Sequence, residues 1–403
     1  MLPRWEAPDE YTHLWVITFL RNHAGLPSGK EVLAAGPTAV YGSLPPLGYL
    51  PHALVSRLFP DSSISFFARF GSLLAALLTV WAGWCIAKEL FSASRLLALA
   101  LPLMLVFHPQ FVFVTSYANN DATACAIGSI LIYLFIASLK YGMTYRRAAA
   151  VGFLLAWLSL CKYSGWTLFP VVLFVIGAAT VLHSTSWKKA ALALSMIACI
   201  CLSITGCWLW RNYNQYSGDW LGTRTMYHTW AVAFHKQLSY HISPIQVLTD
   251  KRWWRFAFFS FWGMFGYTNR YIWRPLYYLF IAFHLLSAAG WLQAIRSRWL
   301  PASTRRWSRK ELIGPAIWSM LLICCICNIA GMIYASTENL GGPQGRYLFV
   351  SEIPVLTLLL SGLSRIGAKK GAYAIGALLA FTAAVCIGSF VMLSYIYSFA
   401  SHI

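Results

Sequence analysis

Pro8-Asp9-Glu10-Tyr11-Thr12-His13 brings two acids and a histidine into six residues. A carboxylate in such a group could act as a general base, taking a proton from a hydroxyl that attacks a substrate. If Pro8 starts a helix at its first position, the acids of the first turn complement the helix dipole, which is the plain structural reading of the pair. On that helix Asp9 lies four residues from His13 and Glu10 three, so they share a face. The same spacing would allow a carboxylate–histidine metal pair. No complete ligand set accompanies it, so no metal site is expected, although a divalent metal stays open.

The remaining acids are few and unevenly spread. The sequence holds twelve in 403 residues. Glu6, Asp9, Glu10, Glu31 and Asp61 precede the first long apolar run, Asp121 opens another run, and Asp219, Asp250 and Glu338 lie in segments between runs. Glu352 sits about one turn inside its run, and only Glu89 and Glu311 fall at the opposite ends. Polar groups at the same ends as the first acids include Arg69, His108, Lys162, Arg211 and Arg346. Each alone suits an interfacial anchor, and together they could hold a phosphate. A pump would carry ionisable groups near the middle of its helices, so this pattern points to a site at one membrane surface.

Helices within a membrane must position these residues. Hydrophobic residues make up 59% of the chain and charged residues 11%, whereas soluble domains carry about 25% charged residues. Lipid is therefore the solvent for most of the chain. The net charge of +19 does not imply nucleic acid, because the Lys and Arg residues sit in short segments between apolar runs and not on one soluble face. The ten cysteines fall almost wholly inside apolar runs and read as small packing residues.

Ten apolar runs predict membrane helices near 66–87, 96–114, 122–139, 148–160, 166–182, 190–210, 272–295, 312–335, 347–363 and 371–400. The fold class expected is therefore an all-α, polytopic transmembrane bundle. Segments 88–95, 140–147, 184–189, 296–310 and 364–370 hold 16 Lys and Arg in 44 positions, against 13 in 148 for the opposite set. The denser set faces the cytoplasm. Residues 1–64 then form a first extracytoplasmic loop with the acidic motif, 65–210 and 272–403 are membrane helices, and 211–271 is a second extracytoplasmic loop. A long external N-terminal segment with no span before it suggests a preceding helix outside this sequence, which would leave residues 1–8 loosely packed. Residues 208–273 hold 20 of the 65 aromatic residues. The run from Trp253 to Trp262 reads as a helix lying in the interface plane.

The ordered motifs Pro8-Asp9-Glu10-Tyr11-Thr12-His13, Leu44-Pro45-Pro46-Leu47-Gly48-Tyr49, Phe67-Ala68-Arg69-Phe70, His108-Pro109-Gln110, Asn119-Asn120-Asp121-Ala122, Lys162-Tyr163-Ser164-Gly165, Trp210-Arg211-Asn212 and Gln344-Gly345-Arg346-Tyr347-Leu348 resemble the GT-C superfamily of polytopic membrane glycosyltransferases. That superfamily includes the protein mannosyltransferases and the aminoarabinose transferases. The chain is similar above all to a bacterial membrane family of unassigned function that opens with P-D-E-x-x-H. The resemblance implies a sugar donor on a polyprenyl phosphate, a membrane lipid environment, transfer with inversion to an acceptor hydroxyl of unknown identity, and no nucleic acid partner. It implies a bacterial inner membrane with the site facing the periplasm or exterior.

Carried over by motif, Asp9 is the expected general base, with Glu10 as its catalytic neighbour. His13, Arg69, Asp121, Lys162, Arg211 and Arg346 are the expected substrate-binding residues. The basic ones would hold the lipid phosphate, and Asp121 would orient the first loop. A transporter or non-catalytic scaffold for cell-envelope polysaccharide is the alternative from another class. Acids at the outer face favour the transferase.

Overall fold

The computed structural model describes residues 7–233, 242–299, 308–338 and 342–400. Among these, eight helical segments are long and apolar enough to cross a membrane: Asp61–Leu90, Asn120–Tyr141, Tyr163–Leu182, Trp187–Gln215, Arg274–Ser297, Arg309–Thr337, Gly345–Ser364 and Ala368–Ile396. The protein is a polytopic helical bundle, and all ten predicted runs are helical. The other two fall short of spanning length for local reasons. The run expected over 96–114 breaks at His108, which is extended, into Arg95–Phe107 and Pro109–Val114. A residue before proline is pushed out of the helical region, and proline then starts the next helix without needing its N–H. The run expected over 148–160 is the 15-residue helix Tyr145–Ser159, capped by the Thr144 side chain.

Two spans lie inside the bundle. In Asn120–Tyr141, 83% of the apolar stretch is buried within the protein, and in Gly345–Ser364, 72%; the other six range from 17% to 44%. The six expose leucine and aromatic side chains such as Leu77, Leu202, Leu285 and Tyr395, which face lipid in a membrane. The two interior spans carry Asp121 and Arg346 at their first turns. Asn119 caps the former, its side chain accepting from the Ala122 amide.

The first segment folds into short helices over Glu10–Asn22, Gly29–Ala35 and Leu50–Ser56 laid against the ends of the spans. The first helix begins at Glu10, not at Pro8, because Asp9 is in the left-handed region at φ 58°, ψ 10°. Residues 1–6 lie outside the described residues, so most of the stretch expected to pack loosely is not described. Ala7 is fully buried.

The aromatic run forms the helix Lys251–Trp262, separated from the next span by a two-stranded antiparallel hairpin, Met264–Phe265 with Arg270–Tyr271. It is therefore an element of its own and not the start of the span at Arg274.

Candidate functional site

Asp9 and Glu10 are adjacent and serve different surroundings. The left-handed turn at Asp9 sends Glu10 inward, where it is 1% exposed. Its Oε1 accepts from Arg69 Nε at 2.8 Å and from the Ala118 amide at 3.1 Å, and its Oε2 accepts from Arg69 Nη2 at 2.7 Å. A carboxylate used on both oxygens by a guanidinium fork is a strong, directional brace. It ties the first helix to the Arg69–Leu90 helix and to the turn that leads into Asn119, Asn120 and Asp121. The Asp9 side chain is 35% exposed, and Arg346 Nη2 donates to its Oδ2 at 3.4 Å. The Asp9 carbonyl starts the helix, accepting from the Thr12 and His13 amides at 3.0 and 3.1 Å.

Asp121, Lys162 and Arg346 meet beside Asp9. Lys162 Nζ donates to Asp121 Oδ1, and Arg346 Nη1 lies 3.9 Å from Asp121 Oδ2. Arg346 Nη1 also donates to the Tyr117 hydroxyl at 3.3 Å, and its Nε is buried without a partner among the described residues. All the contacts of this guanidinium are long, so its fork is held loosely and has a donor to spare. The Lys162 ammonium lies 4.5 Å from the centre of the Tyr347 ring. Burial pushes Lys162 below its ordinary pKa, against the Asp121 carboxylate, which holds it up. Burial raises the hydroxyls of Tyr41, Tyr49 and Tyr117, so they stay protonated and can donate.

The motifs interlock through short backbone contacts. Asn120 Nδ2 donates to the Cys161 carbonyl at 3.0 Å, next to Lys162. Thr123 donates to the Gly48 carbonyl at 2.8 Å, and the Leu47 amide donates to the Leu160 carbonyl at 2.8 Å. A Cβ on Gly48 would meet Asn120 Cβ at 2.6 Å, so only glycine lets the two segments touch. Arg346 is fixed likewise. The Gly345 amide donates to Ser260 Oγ at 2.7 Å, Asn328 Nδ2 donates to the Tyr347 carbonyl at 3.1 Å, and Gly345 packs so closely on the Phe261 backbone that a side chain has no room.

The structure thus brings Asp9, His13, Asp121, Lys162 and Arg346 together. His13 is buried, with Nδ1 2.9 Å from the Tyr49 hydroxyl. Burial lowers its pKa to about 3, opposed by Asp9. Arg69, expected at the phosphate, is held by Glu10. Arg211 donates to the Pro27 carbonyl and, at 3.1 Å, to Asn212 Oδ1, so it fastens the first loop. Among the described residues, no group of three or more His, Cys, Asp or Glu side chains is placed to hold a metal ion.

Sequence reading missed the tyrosines around the cluster and a second buried pair, His108 Nδ1 with Glu352 Oε1 at 2.6 Å, both fully buried. Partners 244 residues apart leave no spacing signal.

The protein is a polytopic helical membrane bundle with an acid–base cluster at the first turns of its interior spans, and its fold is similar to that of two solved membrane proteins. Residues 43–208 match the family model described as dolichyl-phosphate-mannose-protein mannosyltransferase. The chain is similar to ArnT from Cupriavidus metallidurans, whose crystal structure holds undecaprenyl phosphate, at 15% identity and a TM-score of 0.51, covering 94% of this chain and 59% of that one. It is also similar to the archaeal oligosaccharyltransferase AglB from Archaeoglobus fulgidus, solved with an inhibitory peptide and a dolichol-phosphate, at 15% identity and a TM-score of 0.50, covering 98% of this chain and 52% of that one. The chain therefore spans little more than half the length of these two proteins. No curated protein matches it in sequence.

Proposed function

We propose that the protein is a glycosyltransferase that moves a sugar from a polyprenyl-phosphate donor to an acceptor hydroxyl at the outer face of a bacterial inner membrane, with inversion. The observation that carries this reading is the division of labour among three acids. Glu10 is saturated by Arg69 and Ala118, Asp121 is buried against Lys162, and Asp9 keeps an accessible carboxylate with one long contact. A general base must reach the hydroxyl it deprotonates, and Asp9 alone of the three can.

In the proposed step the acceptor oxygen attacks the anomeric carbon while Asp9 takes its proton. The bond from the anomeric carbon to the phosphate oxygen breaks, and the electron pair leaves with the lipid phosphate. Arg346, with its unused Nε, and Lys162 supply the positive charge that stabilises the leaving phosphate. Asp121 holds both cations in position. His13, neutral and backed by Tyr49, forms the wall behind Asp9. The matched family's description and the lipid phosphates bound by ArnT and AglB support a donor of this class.

The test is sugar transfer from a radiolabelled polyprenyl-phosphate sugar to acceptors extracted from cell envelopes, with purified protein in lipid nanodiscs. Label should move to an acceptor in a manner dependent on Asp9. Intact donor after long incubation across a panel of hexose and pentose donors would reject the transferase in favour of a transport or scaffold role.

A further inference from the structure

Away from the cluster, a cavity of about 240 Å³ opens between the Lys251–Trp262 helix, the hairpin and the first turns of the span at Arg274, lined by Arg252, Arg255, Arg274, Phe259, Tyr271 and Tyr278 among others. The three guanidinium groups form no ion pair among the described residues, and Arg274 does no more than lie 5.9 Å from the Tyr271 ring. The sequence contains no acid between Asp250 and Glu311. The Asp250 carboxylate is itself occupied, accepting from the Arg252 amide at 2.8 Å as the helix cap. All three side chains are exposed, so solvent screens their repulsion, and what they offer is three guanidinium forks lining one cavity that an anion can bridge.

Two further observations say which anion. The cavity sits at a membrane boundary, because Arg274 opens a span while Tyr278, one turn into it, is 66% exposed on the lipid-facing side. That is the depth of phospholipid phosphates, where tyrosine belts also lie. The loop-charge bias, moreover, puts this segment on the side where Lys and Arg are normally sparse, so its arginines call for a local partner. The cavity adjoins the small cleft that reaches Arg346 at Met264, which lines both, but the two share no cation: Arg346 lines the cleft, and Arg252, Arg255 and Arg274 line the cavity.

We infer that this cavity is a binding site for the headgroup phosphate of an anionic glycerophospholipid, with Arg252, Arg255 and Arg274 on the phosphate and the acyl chains running down the exposed face of the Arg274–Trp299 helix. Arginine forks suit phosphate oxygens, which they bind in bidentate fashion. The inference does not depend on the proposed transferase activity.

The experiment is native mass spectrometry of the protein in detergent titrated with phosphatidylglycerol, with phosphatidylcholine as the zwitterionic control and inorganic phosphate as competitor. Wild-type protein should retain phosphatidylglycerol over phosphatidylcholine. The preference should fall about fivefold for each arginine removed and roughly 30-fold in Arg255→Gln/Arg274→Gln. Arg255→Lys should keep most of it, and Lys369→Gln/Lys370→Gln, in a different loop, all of it. Equal retention by the double glutamine variant and the wild type would overturn the site. So would displacement of the lipid by millimolar inorganic phosphate, which would make the ligand a soluble anion. A raised KM for the sugar donor in the double variant, with lipid retention unchanged, would assign the cavity to the donor and overturn it as well.

Discussion

Asp9 and Glu10 share a peptide bond, yet one carboxylate is 35% exposed beside Arg346 while the other is 1% exposed in the fork of Arg69. The two should therefore fail in different ways. Asp9→Asn is expected to cut sugar transfer by roughly 10²–10⁴-fold, the worth of a positioned base, with an unchanged melting temperature. Glu10→Gln is expected to lower stability by about 1–3 kcal/mol, because it weakens the charge-assisted hydrogen bonds that both Glu10 oxygens accept from Arg69. Thermal unfolding in detergent and transfer per folded molecule separate the two effects. Equal melting temperatures for both variants would reject the brace.

Arg346 and Lys162 should also be separable. Arg346→Ala removes the cation with a spare donor and should weaken both donor affinity and rate, whereas Tyr117→Phe, which removes one 3.3 Å contact, should cost less than about tenfold. Lys162→Met should lower rate and stability together, since it leaves the buried Asp121 with a 3.9 Å contact to Arg346 as its remaining ion pair. Donor affinity from equilibrium dialysis and single-turnover rates check this order.

Gly48→Ala and Gly345→Ala should be destabilising by about 1–3 kcal/mol or more through overpacking. At Gly48 the nearest atoms are Asn120 Cβ at 2.6 Å and the Cys161 carbonyl oxygen at 3.1 Å, whereas at Gly345 the backbone of Phe261 and Ser260 lies closer still. Gly345→Ala should consequently be the worse of the two. Melting temperatures of the purified variants test the ranking.

Acid should loosen the first segment. Burial lowers the pKa of His13 to about 3 and of His52 to about 4. In the unfolded chain both return to an ordinary value near 6.5. Between those limits the unfolded state binds more protons, so their contribution to stability is complete above about pH 6.5 and declines as the pH falls toward 4 and then 3. His52→Gln should flatten part of that decline in a series of melting curves. Neither histidine should put an inflection into the pH–rate profile between pH 5 and 8, and His13→Asn should leave its shape unchanged.

Much of the bundle was legible in the sequence because a membrane span needs only length and apolar composition, which the runs display directly. The break at His108 was not read from the sequence: Pro109 signals it, but the continuous apolar run over 96–114 hid it. The site was half legible. Asp121, Lys162 and Arg346 each sit at the end of a run, and Asp9 lies in the segment expected on the same side, so topology alone brings them near one surface. What separated Asp9 from Glu10 was one left-handed backbone angle, which a Pro-Asp-Glu sequence does not announce. Arg69 and Arg211 carry the right charge for a phosphate, but each is held elsewhere by a partner distant in sequence, Glu10 in one case and the Pro27 carbonyl in the other. Such pairings follow from packing, which residue type and spacing do not encode.

The close approach of Gly345 to Phe261 removes any slack between the aromatic helix and the loop that bears Arg346. Six of that helix's residues, Trp253, Ala257, Phe259, Ser260, Phe261 and Trp262, are buried against the protein. A shift of the helix and a shift of the Arg346 backbone are then one coordinate, and whatever presses on the aromatic helix presses on the site.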